Sequence, residues 1–306
     1  MSVAVTPPPG LLALAVRATR PLYLPTSVLP ALAGALVAVN VPGADWWALP
    51  LVLLATLLVH AGVNVTNDVE DWARGVDSPD KMDNSRVFST ELMTVGAGRR
   101  LYGMLFLAGF LIGLVLCAVQ TWWLLPYGLA GIFGGLLYTA GPRPYKYDGL
   151  GDPAIVWLMG PLLTQGAYTA MTGDAFHAQA FWVGLFPGLH IAAVLEANNL
   201  SDIPGDRAAG VRTLAVRIGF ARARALFLVT LTATFLVLPV LVLTGLFSAW
   251  LLLPLLGAPI ALSIAAQARS AQGSGDGALL TLAPRTAQLH LLSCVLLCAG
   301  IVLDRL

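Results

Sequence analysis

The strongest constraint on this chain is the recurrence of apolar runs close to 20 residues long. A helical run of that length spans the ~30 Å hydrocarbon core of a bilayer. Such runs lie near 21–40, 47–66, 101–119, 122–140, 152–171, 179–199, 224–245, 247–267 and 287–303. Lipid offers the backbone no hydrogen-bond partners, so each run is expected to be a helix. The sequence therefore predicts an all-α integral membrane protein of about nine transmembrane helices, with residues 1–306 forming a single membrane-embedded domain. Composition supports this. Only 11% of residues are charged, against about 25% in soluble domains, too few to clothe a water-facing surface. The net charge of +1 leaves no basic stripe for nucleic acid. Membrane lipid is the expected surrounding, and no feature asks for an obligate protein partner. Cys117, Cys294 and Cys298 lie in apolar runs without metal-ligand or redox spacing, so they are expected to be small buried hydrophobes. No cleavable leader is expected, because the first long run has no small-residue cleavage site followed by a polar region. Pro25 and Pro30 predict a kink in the first span, and Pro204 is expected to end or bend the sixth.

Basic residues orient the spans. Arg17 and Arg20 precede the first. Arg74, Lys81, Arg86, Arg99 and Arg100 follow the second; Arg143 and Lys146 follow the fourth. Arg207, Arg212, Arg217, Arg222 and Arg224 belong to the sixth span's end and the loop after it, and Arg269 and Arg285 follow the eighth. Of the 17 Lys and Arg residues, only Arg305 falls on the opposite side. The populated side is expected to be cytoplasmic.

Two spans end in carboxylates and amides. In HAGVNVTNDVEDWARGVD, residues Asn64, Asn67, Asp68 and Asp71 sit at i, i+3, i+4 and i+7, one face of a helix. In LEANNLSDIPGDRAAGVRTLAVRIG, residues Asn198, Asp202 and Asp206 are spaced by four, with Asn199 leading into Asp202. Both clusters fall on the populated side. Asp71-Trp-Ala-Arg-Gly75-Val76 resembles Asp206-Arg-Ala-Ala-Gly210-Val211, a hint of internal repetition. Hard oxygen ligands of this kind suit Mg²⁺, which takes one or two carboxylates, retained water and phosphate oxygens. Facing clusters can clamp one diphosphate through such ions. Asp68, Asp71, Asp202 and Asp206 are the expected metal-holding catalytic residues. Asn64, Asn67, Asn198 and Asn199 are expected to position diphosphate oxygens. Four carboxylates and a diphosphate carry more charge than two Mg²⁺ cancel, so Lys81, Arg143, Lys146 and Arg212 are expected to take the remainder.

These residues resemble the UbiA superfamily of intramembrane prenyltransferases. Its paired Asp-rich motifs match NVTNDVEDWARGVD and NNLSDIPGDRAAGVRTLAVRIG, the second followed by the Gly-Xaa-Arg-Thr-Leu-Ala-Val run typical of the group. The form Asn-Asp-Xaa-Xaa-Asp-Xaa-Xaa-Xaa-Gly-Xaa-Asp and the stretch YTAGPRPYKYDGLGDPAIVWLMGPLLTQGAYTAMTG resemble the 1,4-dihydroxy-2-naphthoate polyprenyltransferases of menaquinone synthesis. Val211 departs from the Lys common in that branch, and the stretch DSPDKMDNSRVFSTELMTVG lacks its usual pattern. The resemblance implies a helical bundle around a central cavity open to lipid. It implies Mg²⁺-dependent transfer of a prenyl group from prenyl diphosphate to an aromatic acceptor, with decarboxylation for a naphthoate. Tyr138 and Tyr145, then Tyr147 and Tyr168, are candidates to shield an allylic cation by their π faces. Trp46, Trp47, Trp122 and Trp123 are read as an interfacial belt. His60 and His190 are read as satisfied core histidines, Glu196 as a hydrogen-bond partner for another helix, and Asp152 as a helix cap before Pro153. Another acceptor such as 4-hydroxybenzoate stays open. A secondary transporter is the alternative from another class, but transporter sites lie near the midplane and these clusters lie at one end.

Overall fold

The computed structural model describes residues 10–77 and 85–306, and all regular structure among them is helical. The α-helices are α1 Leu11–Ala18, α2 Pro25–Leu36, α3 Ala48–Ala73, α4 Val95–Val119, α5 Leu124–Thr139, α6 Gly151–Met159 and α7 Pro161–Thr172. They continue as α8 Ala178–Val183, α9 Leu185–Ala208, α10 Leu214–Ile218, α11 Phe220–Leu243, α12 Ala258–Ser270 and α13 Leu282–Arg305. Among the described residues, six stretches are long and apolar enough to cross a bilayer: Ala48–Ala73, Val95–Val119, Ala178–Ala208, Phe220–Leu243, Ala249–Ser270 and Gly277–Arg305. Pro25–Leu36 and Leu124–Thr139 are shorter apolar helices. The protein is an integral membrane protein.

Four expected spans are not single α-helices; the sixth is α8 and α9, parted at Gly184. The first is a 3₁₀ turn, Pro21–Tyr23, followed by α2, which starts at Pro25 where the missing N–H costs nothing. The eighth begins as a 3₁₀ helix, Ala249–Gly257, before α12. The fifth breaks at Gly160 into α6 and α7. The break seats α6 against α9. A Cβ on Gly160 would lie 2.4 Å from the Gly184 carbonyl oxygen, and one on Gly188 would lie 2.2 Å from that of Val156. Only glycine permits that approach. Pro204 does not end its helix: α9 runs through it to Ala208. Membrane helices absorb such a proline because neighbouring groups re-satisfy the freed carbonyl.

The core is built from small residues on close helices. Ala31, Ala33, Ala35 and Ala167 are buried where α2 meets α7, and Ala193, Ala197, Ala261 and Ala265 are buried in the half containing α9, α11 and α12. Polar pairs fasten helices across the bilayer. Glu70 on α3 accepts from Arg99 Nε and Nη2 of α4 at 2.9 and 3.0 Å, and from Tyr102 at 3.2 Å. Glu196 on α9 accepts from Thr230 of α11 at 2.9 Å, as expected. The outward faces are apolar: Leu107, Leu111 and Val115 on α4, and Val229, Leu236 and Val240 on α11, are exposed. Such stripes belong against lipid. All three cysteines are buried.

The connections sort into two ends. At one end, the Asp45 N–H donates to Met171, Gln120 donates to Asp45, Asn40 donates to the Arg305 carbonyl, Gln179 donates to Leu246, and the Ser248 N–H donates to Asp304. At the other, Arg17 donates to Ser85, Arg74 to Gly141, Arg217 to Asp148 and Arg224 to Ala271. Arg305 lies at the first end. In the 270–285 segment the Asp276 carboxylate accepts the N–H groups of Gln272 and Ala278, both at 2.9 Å.

Candidate active site

Both Asp-rich helices end in the same backbone device. In α3, the Val76 N–H bonds the Asp71 carbonyl at 2.9 Å and the Gly75 N–H bonds Trp72 at 3.0 Å. In α9, the Val211 N–H bonds the Asp206 carbonyl at 2.8 Å and the Gly210 N–H bonds Arg207 at 3.2 Å. Gly75 and Gly210 have φ of +70° and +74°. These are paired Schellman caps. The apparent sequence repeat is thus a repeated helix stop, which sets each final aspartate in the last turn of its helix.

The two helix ends open on one cavity of about 440 Å³. Asn64, Asn67, Asp71, Asn198, Asn199, Asp202, Asp206, Tyr138, Tyr145 and Lys146 all line it. Its remaining wall is largely apolar, including Val52, Val59, Phe110, Leu114, Leu158 and Val194. Lys146 Nζ donates to Asp71 Oδ2 at 2.5 Å and to Asn67 Oδ1 at 2.6 Å. The Tyr147 hydroxyl donates to the other Asp71 oxygen. Thr139 donates to Asn67 at 3.1 Å and Thr213 to Asp206 at 3.2 Å. Asn64 donates to the Thr19 carbonyl at 2.9 Å. Tyr138 and Tyr145 meet edge to face, with ring centres 5.5 Å apart. Burial pushes the Tyr145 hydroxyl up to about 12. Burial, and after it the Asp71 charge, hold Tyr147 far above the ordinary tyrosine value, so it stays a donor.

Some expected residues lie elsewhere. Asp68 does not line the cavity. At 100° per residue it sits about 40° from Asn64 on the side away from Asn67, and it is buried against Arg20 and the Ser85 N–H, the latter at 2.9 Å. Arg143 stands away from the cavity, its side chain 85% exposed and paired with Asp148 at 2.9 Å. Arg212 is exposed too, its carbonyl held by Arg217. Lys81 lies outside the described residues. Tyr168 is buried away from the cavity, stacked on His177 and donating to Asp174. His60, by contrast, lines the cavity and is satisfied by Ser27 at 2.8 Å. His190 is buried, and among the described residues its ring nitrogens have no hydrogen-bond partner; it packs against Phe186, Phe235 and His290.

Two residues were read differently from the sequence. Arg20, taken only as an orientation marker, lines the cavity and pairs with Asp68. Asp152 is not the cap of α6: the N-cap is Leu150, and Asp152 is a buried residue of the cavity wall. No sequence signal separates such an aspartate from an ordinary cap.

The polar end offers hard oxygen donors beside cations, and the rest suits an apolar tail. Among the described residues no three His, Cys, Asp or Glu side chains form a complete metal cage. That fits Mg²⁺, which keeps water and binds largely through phosphate. A helical membrane bundle with this cavity can take an amphiphile with an anionic head.

The chain matches the UbiA prenyltransferase family over residues 27–283. It belongs to that family and is a prenyltransferase. It is 36% identical to the 1,4-dihydroxy-2-naphthoate octaprenyltransferase of Mycobacterium tuberculosis over 85% of this chain and 88% of that one. It shares its fold with the apo structure of a UbiA homologue from Aeropyrum pernix, with a TM-score of 0.71 and 16% identity, covering 92% of this chain and 98% of the other. A UbiA homologue from Archaeoglobus fulgidus bound to GPP and Mg²⁺ superposes with a TM-score of 0.62 and 18% identity, covering 94% and 99%.

Proposed function

We propose that this prenyltransferase joins a polyprenyl chain, supplied as its diphosphate, to 1,4-dihydroxy-2-naphthoate, releasing the ring carboxylate as CO₂ to give demethylmenaquinol. The observation that carries this reading is the convergence of Asp71, Asp202 and Asp206, with four amides, on one end of an otherwise apolar cavity. The naphthoate follows the activity named for the mycobacterial relative. Asp71, Asp202 and Asp206 would hold Mg²⁺, with Asp68 adjoining them behind Arg20. Mg²⁺ there neutralises the diphosphate leaving group. Lys146 and Arg20 add fixed positive charge, and the asparagines orient phosphate oxygens. The apolar wall takes the prenyl tail and keeps water from the allylic carbon. The faces of Tyr138 and Tyr145 favour positive charge beside them. Attack from the carboxylate-bearing ring carbon leaves no ring hydrogen to remove, so loss of CO₂ restores aromaticity.

In this reading the chain crosses the bilayer nine times, through the six long stretches, α2, α5 and the α6–α7 pair. The catalytic end faces the cytoplasm, supported by the gathering of nearly all basic residues there.

The test gives purified protein 1,4-dihydroxy-2-naphthoate or 4-hydroxybenzoate with the same prenyl diphosphate and Mg²⁺, and identifies products by mass. A decarboxylated prenyl naphthalenediol is expected. A carboxylate-bearing product from 4-hydroxybenzoate, with none from the naphthoate, would sink the naphthoate assignment.

A further inference from the structure

We infer that Asp152 accepts a hydrogen bond from a ring hydroxyl of the aromatic acceptor and so holds the ring against the reacting carbon of the prenyl chain. The inference rests on the function proposed above.

Asp152 is a carboxylate outside both Asp-rich motifs, yet it lines the same cavity and is 7% exposed. A buried carboxylate needs partners. Among the described residues it makes no ion pair, and the Lys146 ammonium is spent on Asp71 and Asn67. A carboxylate offers about four acceptor positions, so Asp152 keeps capacity for a donor arriving from the cavity.

Its depth is what assigns the donor. Val156 of α6 lies against Gly188 of α9, and at a rise of 1.5 Å per residue Asp152 stands about 6 Å from that contact along α6 while Asp202 stands about 21 Å from it along α9. Asp152 is therefore displaced inward from the metal-holding carboxylates. The reacting prenyl carbon is bonded directly to a diphosphate oxygen, so it too lies just inward of the metals. An acceptor ring poised for attack belongs at that level.

The surroundings suit a flat ring. Gly151 has no side chain where a Cβ would sit 3.1 Å from Tyr138 Cε2 and 3.4 Å from its hydroxyl, so the Tyr138 ring lies close against the start of α6. Ile155, Val194 and Leu195 add apolar wall. A carboxylate hydrogen-bonded to an aromatic hydroxyl is a charge-assisted contact. It pushes oxygen electron density into the ring and makes the neighbouring carbon a better nucleophile. A further metal carboxylate would instead be expected level with Asp202.

The test compares wild type with Asp152→Asn, each given Mg²⁺, a prenyl diphosphate and either the dihydroxy acceptor or its hydroxyl-methylated ether. A site built to bond a hydroxyl rejects an analogue lacking it. In Asp152→Asn the acceptor KM should rise about tenfold or more, and the preference for hydroxyl over ether should shrink by a similar factor. The KM for prenyl diphosphate and the Mg²⁺ requirement should stay within about twofold, and Asp152→Glu should recover part of the hydroxyl preference. If turnover is too slow to read, acceptor binding measured calorimetrically with Mg²⁺ and inorganic pyrophosphate gives the same comparison. Unchanged acceptor affinity and preference in Asp152→Asn overturn the inference alone. A raised Mg²⁺ requirement without an acceptor effect overturns it in favour of a metal role. A wild type that prenylates no aromatic acceptor overturns the proposed function and this inference together.

Discussion

The buried carboxylates of this end illustrate how a membrane enzyme keeps charge in a low-dielectric place. A buried ion is tolerated when paired and hydrogen-bonded. Asp71 has Lys146 and Tyr147, Asp68 has Arg20 and Ser85, and Asp206 has Thr213. Asp202→Ala should cut turnover by more than about a hundredfold, because the charge stabilisation it anchors amounts to several kcal/mol. The variant should still elute as a folded protein, since Asp202 is only half-buried. Near-normal turnover at saturating Mg²⁺ would remove the two-cluster site. Lys146→Ala should raise the KM for prenyl diphosphate about tenfold, the loss expected for one charge-assisted contact. An effect confined to the acceptor KM would contradict that role. The acidic residues were legible because their spacing is local. The partners of Asp68 were not: Arg20 and Ser85 are far from it in sequence, and no periodicity joins them. Arg143 and Arg212 were nominated by charge balance alone, which says nothing about reach; the 143–148 turn ties Arg143 to Asp148 in solvent.

At the scale of elements, the Asp-x-x-x-Gly-Val pattern has a mechanical cause. The glycine must adopt positive φ for the following N–H to return to the aspartate carbonyl. A β-branched residue there costs about 1–2 kcal/mol. Gly210→Val should therefore lower the melting temperature in detergent and also slow turnover, because it loosens the turn that presents Asp206. Gly205→Ala, inside α9 with nothing within 4 Å of its added Cβ, should do neither. Equal behaviour of the two variants would show that the cap does not govern the site. Hydrophobic period reads the existence of helices well but not their hydrogen-bond type, so the 3₁₀ stretch at 249–257 passed as an ordinary span. The break at Gly160 escaped for another reason: it serves the contact between α6 and α9, a tertiary demand.

Across the whole molecule, charge asymmetry and hydrogen bonding divide the connections in the same way. The loops sharing Arg17, Arg74, Arg217 and Arg224 contacts are those that carry the basic residues, and the opposite loops share Asp45, Gln179 and Asp304 contacts. Two independent signals thus agree on which loops lie together, although neither alone says which end meets the cytoplasm. Aromatic side chains add a third: Trp46, Trp47, Trp122 and Trp123 are exposed at the starts of α3 and α5, at the end away from the carboxylates. Tryptophans prefer the headgroup level, so they fix the depth of that end without fixing its side. The positive-inside rule supplies the side. Ala209→Cys, beside the second Asp-rich motif, should resist an impermeant maleimide in intact cells and react after permeabilisation. Thr244→Cys, at the far end of α11, should react in intact cells. Both positions are exposed, and the three native cysteines are buried and give little background. Reaction of Ala209→Cys but not Thr244→Cys in intact cells would invert the proposed topology. Reaction of both would break the alternation of loops on which nine crossings depend.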